Sequence, residues 1–139
     1  MSTRLRYLAP CIAFIALLAG ATSTFAGTVG LHLASVHIPY RSAYNNVNPG
    51  IYYRGDAGWT AGVYHNSLSK TSVYAGYTLQ YGRFGLTAGG ATGYQQTVQP
   101  LLVPSVALFT YQGVTARVAY VPRVEKRIES HVLHFMAEF

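Results

Sequence analysis

The chain contains few charged residues, a single cysteine and no second long apolar run. Only 10% of the 139 residues are Asp, Glu, Lys or Arg, whereas a soluble domain usually carries about 25%. Cys11 is the only cysteine, so no disulfide forms within the chain. Outside residues 11–19, no apolar segment approaches the roughly 20 residues that a membrane-spanning helix needs. If this chain crosses a membrane, we expect it to do so as a β-barrel, whose alternating strands never look strongly hydrophobic.

Sequence patterns that commonly hold metals, cofactors or nucleic acids are also missing. The chain has no glycine-rich phosphate loop, no pair of cysteines and only four acidic residues. His131 and His134 are three residues apart in a segment that reads as a strand, so their side chains should face opposite sides. No stripe of basic residues alternates with aromatic residues on one face. We therefore expect no cofactor, no metal site and no nucleic-acid partner.

The first 26 residues have the pattern of a signal peptide. Such a peptide has a positively charged start, a short apolar core and small residues just before the cut. This chain has all three, in Arg4 and Arg6, in residues 11–19, and in Thr24-Phe25-Ala26. The pattern predicts that residues 1–26 are removed on export and that residues 27–139 form one domain.

After the predicted signal peptide, short segments alternate between two kinds of side chain, and no helical period is visible. In the clearest segment, residues 71–81, one face carries Val73, Ala75, Tyr77, Leu79 and Tyr81, and the other carries Ser72, Tyr74, Gly76, Thr78 and Gln80. Such alternation is typical of strands with two different environments. We expect eight strands, at about residues 28–38, 49–55, 58–66, 71–81, 84–93, 101–111, 114–121 and 130–139.

The connections between these strands alternate between tight and long. The tight turns are at residues 55–58, 82–83 and 112–113, and the mostly longer, polar loops are at residues 39–48, 67–70, 94–100 and 122–129. Bacterial outer-membrane barrels have short periplasmic turns and longer external loops. We therefore predict an all-β fold, an eight-stranded antiparallel up-and-down β-barrel of the outer-membrane type, with both termini on the periplasmic side. A soluble eight-stranded barrel is the alternative, although nothing would require its loops to alternate in length.

Basic residues are concentrated on the predicted outer loops. Anionic phosphates of lipopolysaccharide lie at that surface of an outer membrane, and Lys and Arg are their natural partners. For any single residue, a solvated loop position explains the charge equally well. As a group they predict a lipid-binding rim made of Arg41, Lys70, Arg123, Lys126 and Arg127.

One short segment is a candidate for catalysis. Asn66-Ser67 follows the third predicted strand, and a serine hydroxyl becomes a nucleophile when a base lies within hydrogen-bond reach. The first strand supplies two possible bases, His37 near its outer end and His32 deeper, on the inward face with Gly30 and Ala34. Asn-Ser is also an ordinary turn dipeptide, so composition alone does not assign this role.

The same segment resembles a known family. Residues 66–77 (NSLSKTSVYAGY) are similar to the stretch of the outer-membrane lipid A palmitoyltransferase family that holds its catalytic Asp-Ser. Further similarities follow in the same order, and together they cover roughly residues 44–139: Tyr44-Asn45-Asn46, Pro49-Gly50, residues 84–93, residues 100–106 (PLLVPSV), residues 114–122 (VTARVAYVP) and the terminal Phe139, which also resembles the assembly signal of barrel proteins.

The resemblance implies a fold, an activity and roles for residues. The family is an eight-stranded barrel that transfers a palmitoyl chain from a phospholipid to lipid A, and an apolar well inside the barrel measures the chain. Ser67 would match the catalytic serine, and His32 best matches the catalytic histidine, with His37 as the competitor nearer the rim. Prolines weaken two seams through which lipids pass sideways; Pro104 and Pro122 match one seam, and Pro49 matches one side of the other.

The chain departs from the family pattern at three points. Asn66 stands where the family has the catalytic Asp, so it would orient the site without supplying a carboxylate. The family's N-terminal amphipathic helix has no room after Gly27. Thr78 replaces the glycine that forms the floor of the well, and a bulkier floor predicts an acyl chain shorter than palmitate.

Three functional hypotheses remain open at this point. The first is an outer-membrane acyltransferase that acts on lipid A or a related lipid. The second is a related outer-membrane barrel without enzymatic activity, which serves envelope integrity or surface interaction. The third is a soluble periplasmic barrel that binds an apolar ligand. For the first hypothesis we expect a monomer in the bacterial outer membrane, with phospholipid and lipopolysaccharide as partners and no cofactor.

Overall fold

The computed structural model describes residues 27–122 and 130–139, and these form eight β-strands. The predicted signal peptide and the predicted loop cations Arg123, Lys126 and Arg127 lie outside the described residues. No helix in the described part of the chain is long and apolar enough to cross a membrane. The strands are β1 (Gly27–Ile38), β2 (Val47–Gly55), β3 (Trp59–His65), β4 (Thr71–Tyr81), β5 (Phe84–Ala91), β6 (Gln99–Tyr111), β7 (Val114–Val121) and β8 (His131–Glu138).

The strands form one closed antiparallel barrel. Each strand pairs with its neighbours along the chain, and β8 pairs with β1 to close the sheet. At this closure the backbones of Val29 and Phe139 exchange two hydrogen bonds. The predicted all-β, eight-stranded, antiparallel up-and-down barrel is therefore confirmed.

Tight turns lie at one end of the barrel, which we call the inner end, and longer loops lie at the opposite, outer end. The turn after β4 has Gly82 at its first central position with φ 56°, as a type II′ hairpin requires. The turn after β6 has positive φ at both central residues, 48° at Gln112 and 81° at Gly113, as in a type I′ hairpin. These turns join strands whose right-handed twist suits a closed sheet, and they confirm the predicted tight connections.

A β-bulge in β1 changes which side chains face the lumen. The pairing with both β2 and β8 shifts between His32 and Ala34. Against β8 these two residues pair with the consecutive Met136 and Phe135, which leaves Leu33 as the extra residue. His32, Ser35 and His37 consequently all point inward, with 7%, 3% and 2% of their surfaces exposed. The prediction that Ala34 shares the inward face with His32 is wrong, because strict alternation holds only up to the bulge.

The ladder between β6 and β7 covers only part of their length. It runs from the Tyr111–Val114 pair at the inner end to the Ser105–Ala119 pair. Farther outward, residues 99–104 of β6 pair with β5 only. Pro104, which lacks an N–H donor, lies where the ladder ends. The seam between β1 and β2, in contrast, is paired from Gly27–Gly55 to Ala34–Val47.

Apolar side chains cover the outside of the barrel, and polar side chains fill much of its inside. The buried polar set is His32, Ser35, His37, Asn48, Thr60, Asn66, Ser72, Thr78, Gln99, Arg117, Ser130 and Glu138. Exposed apolar and aromatic residues occur on every strand, among them Leu33, Ile51, Trp59, Val63, Val73, Leu79, Leu86, Leu102, Phe109, Tyr120 and Phe135. This distribution is the reverse of that in a soluble barrel with an oily core.

Near the inner end the outward side chains are mostly aromatic. They include Tyr53, Trp59, Tyr77, Tyr81, Phe84 and Tyr111, each at least 40% exposed. Trp59 and Tyr77 contact each other edge to face, with ring centroids 5.5 Å apart. The outward surface at this end therefore has the amphipathic rings that suit an interface between hydrocarbon and water.

Candidate functional site

Ser67 and His37 meet at the outer end of the lumen. His37 is near the end of β1, where the bulge turns it inward, and Ser67 lies in the loop between β3 and β4. His37 Nε2 is 3.0 Å from Ser67 Oγ. A serine hydroxyl this close to an imidazole has the first contact that nucleophilic activation requires.

Asn46 fixes the orientation of His37. Its side-chain oxygen Oδ1 lies 2.6 Å from His37 Nδ1. Because an amide oxygen only accepts, Nδ1 carries the proton and Nε2 is left to accept the Ser67 hydroxyl. Tyr44 stacks on the same imidazole, with ring centroids 4.8 Å apart and an angle of 24° between the planes. Serine, histidine and asparagine therefore form a hydrogen-bonded chain with the polarity of a catalytic triad.

Asn66 organises the loop that carries Ser67. It is fully buried, and its Oδ1 accepts hydrogen bonds from the backbone N–H groups of Leu68 and Lys70 at 2.9 and 3.0 Å. Its Nδ2 donates to Ser72 Oγ and to the carbonyl oxygen of Gly93, both at 2.9 Å. These four bonds tie the β3–β4 loop to the start of β4 and to the loop after β5. Asn66 thus holds Ser67 through the backbone rather than through a contact with a histidine.

His32 belongs to a different network, deeper in the lumen. Its Nδ1 is 2.8 Å from His134 Nε2, and its Nε2 is 3.0 Å from the hydroxyl of Tyr74. The rings of Tyr52 and Tyr64 also pack against it, at 5.1 and 5.0 Å between centroids. Of the two histidines proposed from the sequence, His37 is therefore the one that contacts Ser67, and the nitrogens of His32 contact other residues.

The two histidines of β8 face opposite sides, as their spacing predicts. His134 lies in the lumen, and His131 is on the outside, where its Nδ1 is 2.7 Å from the hydroxyl of Tyr120. No group of three or more His, Cys, Asp or Glu side chains in residues 27–122 and 130–139 is placed to hold a metal ion.

A cavity of about 180 Å³ extends inward from Ser67 and His37. One wall is aliphatic and comes from β6, β7 and β8, with Leu101, Val103, Ala119, Val132 and Met136. The opposite wall is formed by the rings of His32, Tyr52, Tyr64 and Tyr74. The cavity is therefore shaped for a chain-like ligand that contacts hydrocarbon on one side and ring faces on the other.

Thr78 lines this cavity, on β4. Its hydroxyl is 2.8 Å from that of Thr60 on one side and 2.8 Å from that of Thr87 on the other. We call these three residues the threonine ladder. They mark a change from apolar to polar lining, because the side chains of Arg54, Arg117 and Glu138 also reach the cavity.

Two of the predicted rim cations are described, and both are exposed. Arg41 lies in the loop between β1 and β2, and Lys70 lies in the loop between β3 and β4. The two loops are joined by a backbone hydrogen bond from Asn45 N–H to Ser67 O, 2.9 Å long. Arg41 and Lys70 are thus carried by the same pair of loops that supplies Tyr44, Asn46 and Ser67.

Asn46 and the charged residues at the bottom of the lumen were not predicted from the sequence. Asn46 lies in a segment that resembles the lipid A palmitoyltransferases, but its residue type gave no sign of a contact with His37. Glu138 binds Arg54 and Arg117, which come from strands distant in the sequence. Arg54, Arg117 and Glu138 are each a charged residue at an inward position of an alternating strand. This pattern was the available sign that they lie in the lumen.

We expect Asn66→Asp to weaken the site, although it restores the residue of the resembled family. A carboxylate at this buried position has no N–H to donate to Gly93 and would face its carbonyl oxygen. The free energy of unfolding should fall by about 1–3 kcal/mol, as measured by urea titration of the refolded barrel. Labelling of Ser67 by a fluorophosphonate should also become slower.

The matched control is Asn46→Asp, which keeps the oxygen acceptor for His37 at a half-buried position. This variant should retain labelling of Ser67. A more stable and more reactive Asn66→Asp protein would contradict the structural role assigned to Asn66.

The chain was compared with protein-family models and with curated proteins, and neither comparison found a match.

Proposed function

We propose that this chain is an outer-membrane acyltransferase that moves a fatty acyl chain from a phospholipid to lipid A or a related lipid. The observation that carries the proposal is the contact between Ser67 Oγ and His37 Nε2, 3.0 Å apart, with Asn46 on the other imidazole nitrogen. This group lines the same cavity as the deeper side chains of His32, Thr78 and Glu138. The resemblance of residues 44–139 to lipid A palmitoyltransferases supports the same reaction.

The location in a membrane rests on the distribution of side chains. Exposed apolar residues surround the barrel, and monomeric soluble proteins rarely expose a continuous surface of this kind. A polar lumen, an apolar exterior, tight turns at one end and longer loops at the other are the combination found in outer-membrane barrels. In that orientation the Ser67–His37 pair faces the outer leaflet, where lipopolysaccharide is found.

The proposed reaction has two steps. Ser67 Oγ attacks the ester carbonyl carbon of the phospholipid, and His37 Nε2 accepts the hydroxyl proton. The ester C–O bond breaks, and the imidazolium returns that proton to the departing alkoxide, which leaves a lysophospholipid and an acyl-serine. A hydroxyl of the acceptor lipid then attacks the acyl-serine, again with His37 as base, and Ser67 recovers its proton.

The other parts of the site have matching roles in this proposal. Arg41 and Lys70, together with Arg123 and Lys126 outside the described residues, would bind lipid phosphates at the outer rim. The unpaired outer stretch between β6 and β7, which Pro104 borders, would let a lipid chain enter sideways from the membrane. The aliphatic wall formed by Leu101, Val103 and Met136 would then contact the acyl chain.

A non-enzymatic barrel is the second candidate. Asn46 occupies the position where a carboxylate would stabilise a protonated His37, and the hydrogen bonds of His37 in the described residues go to Asn46 and Ser67. An amide stabilises an imidazolium less than a carboxylate does. This observation favours a barrel of the same fold that does not catalyse acyl transfer.

The membrane assignment predicts how the purified protein behaves. Residues 27–139 should fold only in detergent or lipid, and the folded barrel should migrate differently in a gel before and after boiling. The reason is that the exposed apolar surface needs hydrocarbon around it. A folded, monomeric chain in buffer without detergent would contradict both the membrane assignment and the transfer reaction, and would favour a soluble periplasmic barrel.

Removing the proposed nucleophile should abolish acyl addition to lipid A. Cells that express the intact chain should show lipid A with one additional acyl chain by mass spectrometry, and cells with Ser67→Ala should lack it. His37→Ala should lower the transfer rate by about 10²–10⁴-fold, the usual contribution of a general base.

The matched control for this experiment is Ser69→Gly in the same loop, since Ser69 is exposed and its φ of 58° suits glycine. This variant should retain acyl addition. An additional chain that persists with Ser67→Ala would exclude Ser67 but keep an enzyme, whereas no additional chain with the intact protein would favour the non-enzymatic barrel.

The threonine ladder predicts the length of the transferred chain. Its hydroxyls close the apolar part of the cavity, so the added chain should be shorter than sixteen carbons. Thr78→Gly should shift the product to longer chains, because it removes the central side chain of the ladder, whereas Thr110→Gly, at an exposed position, should not. Mass spectra of lipid A measure both outcomes, and a clean sixteen-carbon addition by the intact protein would refute the limit.

A further inference from the structure

Four side chains form a charged group at the bottom of the lumen, which we call the floor cluster: Tyr52, Arg54, Arg117 and Glu138. Arg54 Nη1 is 2.8 Å from Glu138 Oε1, and Arg117 Nε is 3.0 Å from Glu138 Oε2. The hydroxyl of Tyr52 donates to Glu138 Oε1 at 2.6 Å. Two guanidinium groups and a phenol thus already hold one carboxylate inside the barrel.

The floor cluster contains more positive than negative charge. Two guanidinium groups share the single carboxylate of Glu138, and the other acid in the described residues, Asp56, lies exposed in the turn after β2. Arg117 is only 5% exposed. An unbalanced charge is costly at such a position, and an additional anion would lower that cost.

The two arginines have more N–H donors than they use in their contacts with the described residues. A guanidinium group carries five N–H donors, and the contacts within the described residues are one from Arg54 to Glu138 and two from Arg117, to Glu138 and Ser105. Both side chains line the cavity. Donors and uncompensated charge are therefore available where a ligand in the cavity would reach them.

The lining above the floor cluster defines what else the ligand must contain. Val103, Leu101, Ala119 and Met136 line the cavity between the floor cluster and its outer opening. A small hydrophilic anion would leave this aliphatic wall uncovered, whereas an alkyl chain attached to the anion would cover it.

We propose that the lumen binds a free fatty acid with its carboxylate on Arg54 and Arg117 and its chain directed toward the outer opening. A carboxylate is the anion that these two arginines and the Tyr52 hydroxyl already bind in Glu138, each guanidinium group through one contact to a carboxylate oxygen. This orientation is opposite to that of the ester substrate proposed for Ser67 and does not depend on that reaction. The binding is independent of that reaction, but one consequence rests on it: in the proposed reaction, a fatty acid bound in this way would occupy the space of the acyl chain and inhibit its transfer.

The test uses the barrel with Ser67→Ala in lipid nanodiscs, so that its result is independent of acyl transfer. Dodecanoic acid and dodecan-1-ol, each labelled with ¹³C at carbon 1, are titrated, and the bound resonance is followed by NMR. The acid should bind at least about tenfold more tightly than the alcohol, a difference of about 1.4 kcal/mol. Arg117→Gln should reduce this preference to less than about threefold, since it removes one of the two charges that hold the carboxylate.

Two further variants complete the test. Arg83→Gln is the matched control, because Arg83 is an exposed arginine in the inner turn after β4, and it should leave the preference unchanged. Glu138→Gln removes the internal carboxylate and should strengthen binding of the acid severalfold. This variant tests the proposed carboxylate site even if Arg117→Gln fails to fold. Equal binding of acid and alcohol, no binding of the acid, or weaker binding by Glu138→Gln would overturn the proposal.

Discussion

In a closed sheet of eight strands, every side chain faces either the lumen or the outside, and a shift of one residue exchanges the two faces. The rest of this structure depends on that constraint. The bulge at Leu33 uses it directly, because one extra residue brings both His32 and His37 to the lumen although an odd number of positions separates them. Without the bulge, alternation from His32 would direct His37 outward, and Ser67 would have no imidazole partner.

The same constraint explains how the lumen can be so polar. Backbone groups are satisfied by the closed ladder, so inward side chains are free to bond with one another. They do so at three levels: Ser67, His37 and Asn46 at the outer end, the rings around His32 in the middle, and the floor cluster near the inner end. Each level joins strands that are distant in sequence, and the cavity connects all three.

The fold was largely predictable from the sequence, and the site was predictable only in part. Strand positions and tight turns follow from local alternation and from glycines such as Gly82, so the barrel and its eight strands were predicted correctly. Ser67 was proposed as the nucleophile from a resembling segment, and the sequence left the choice between His32 and His37 as its partner open. Asn66 was expected to orient the catalytic groups, and its four hydrogen bonds go to the loop that carries Ser67, to Ser72 and to Gly93 rather than to a histidine.

The sequence by itself determined the strand alternation with a period of two residues, the order of tight turns and longer loops, and the low content of charged residues. Each of these features depends only on residue types and on residues close together in the chain. The tertiary structure decided which side chains from distant strands meet in the lumen. His37 and Ser67 are 30 positions apart, and Arg54 and Glu138 are 84 apart. Their contacts depend on register, on a bulge and on the closure of β8 against β1. These are collective properties of the sheet, since each pairing is fixed only when all the others are in place.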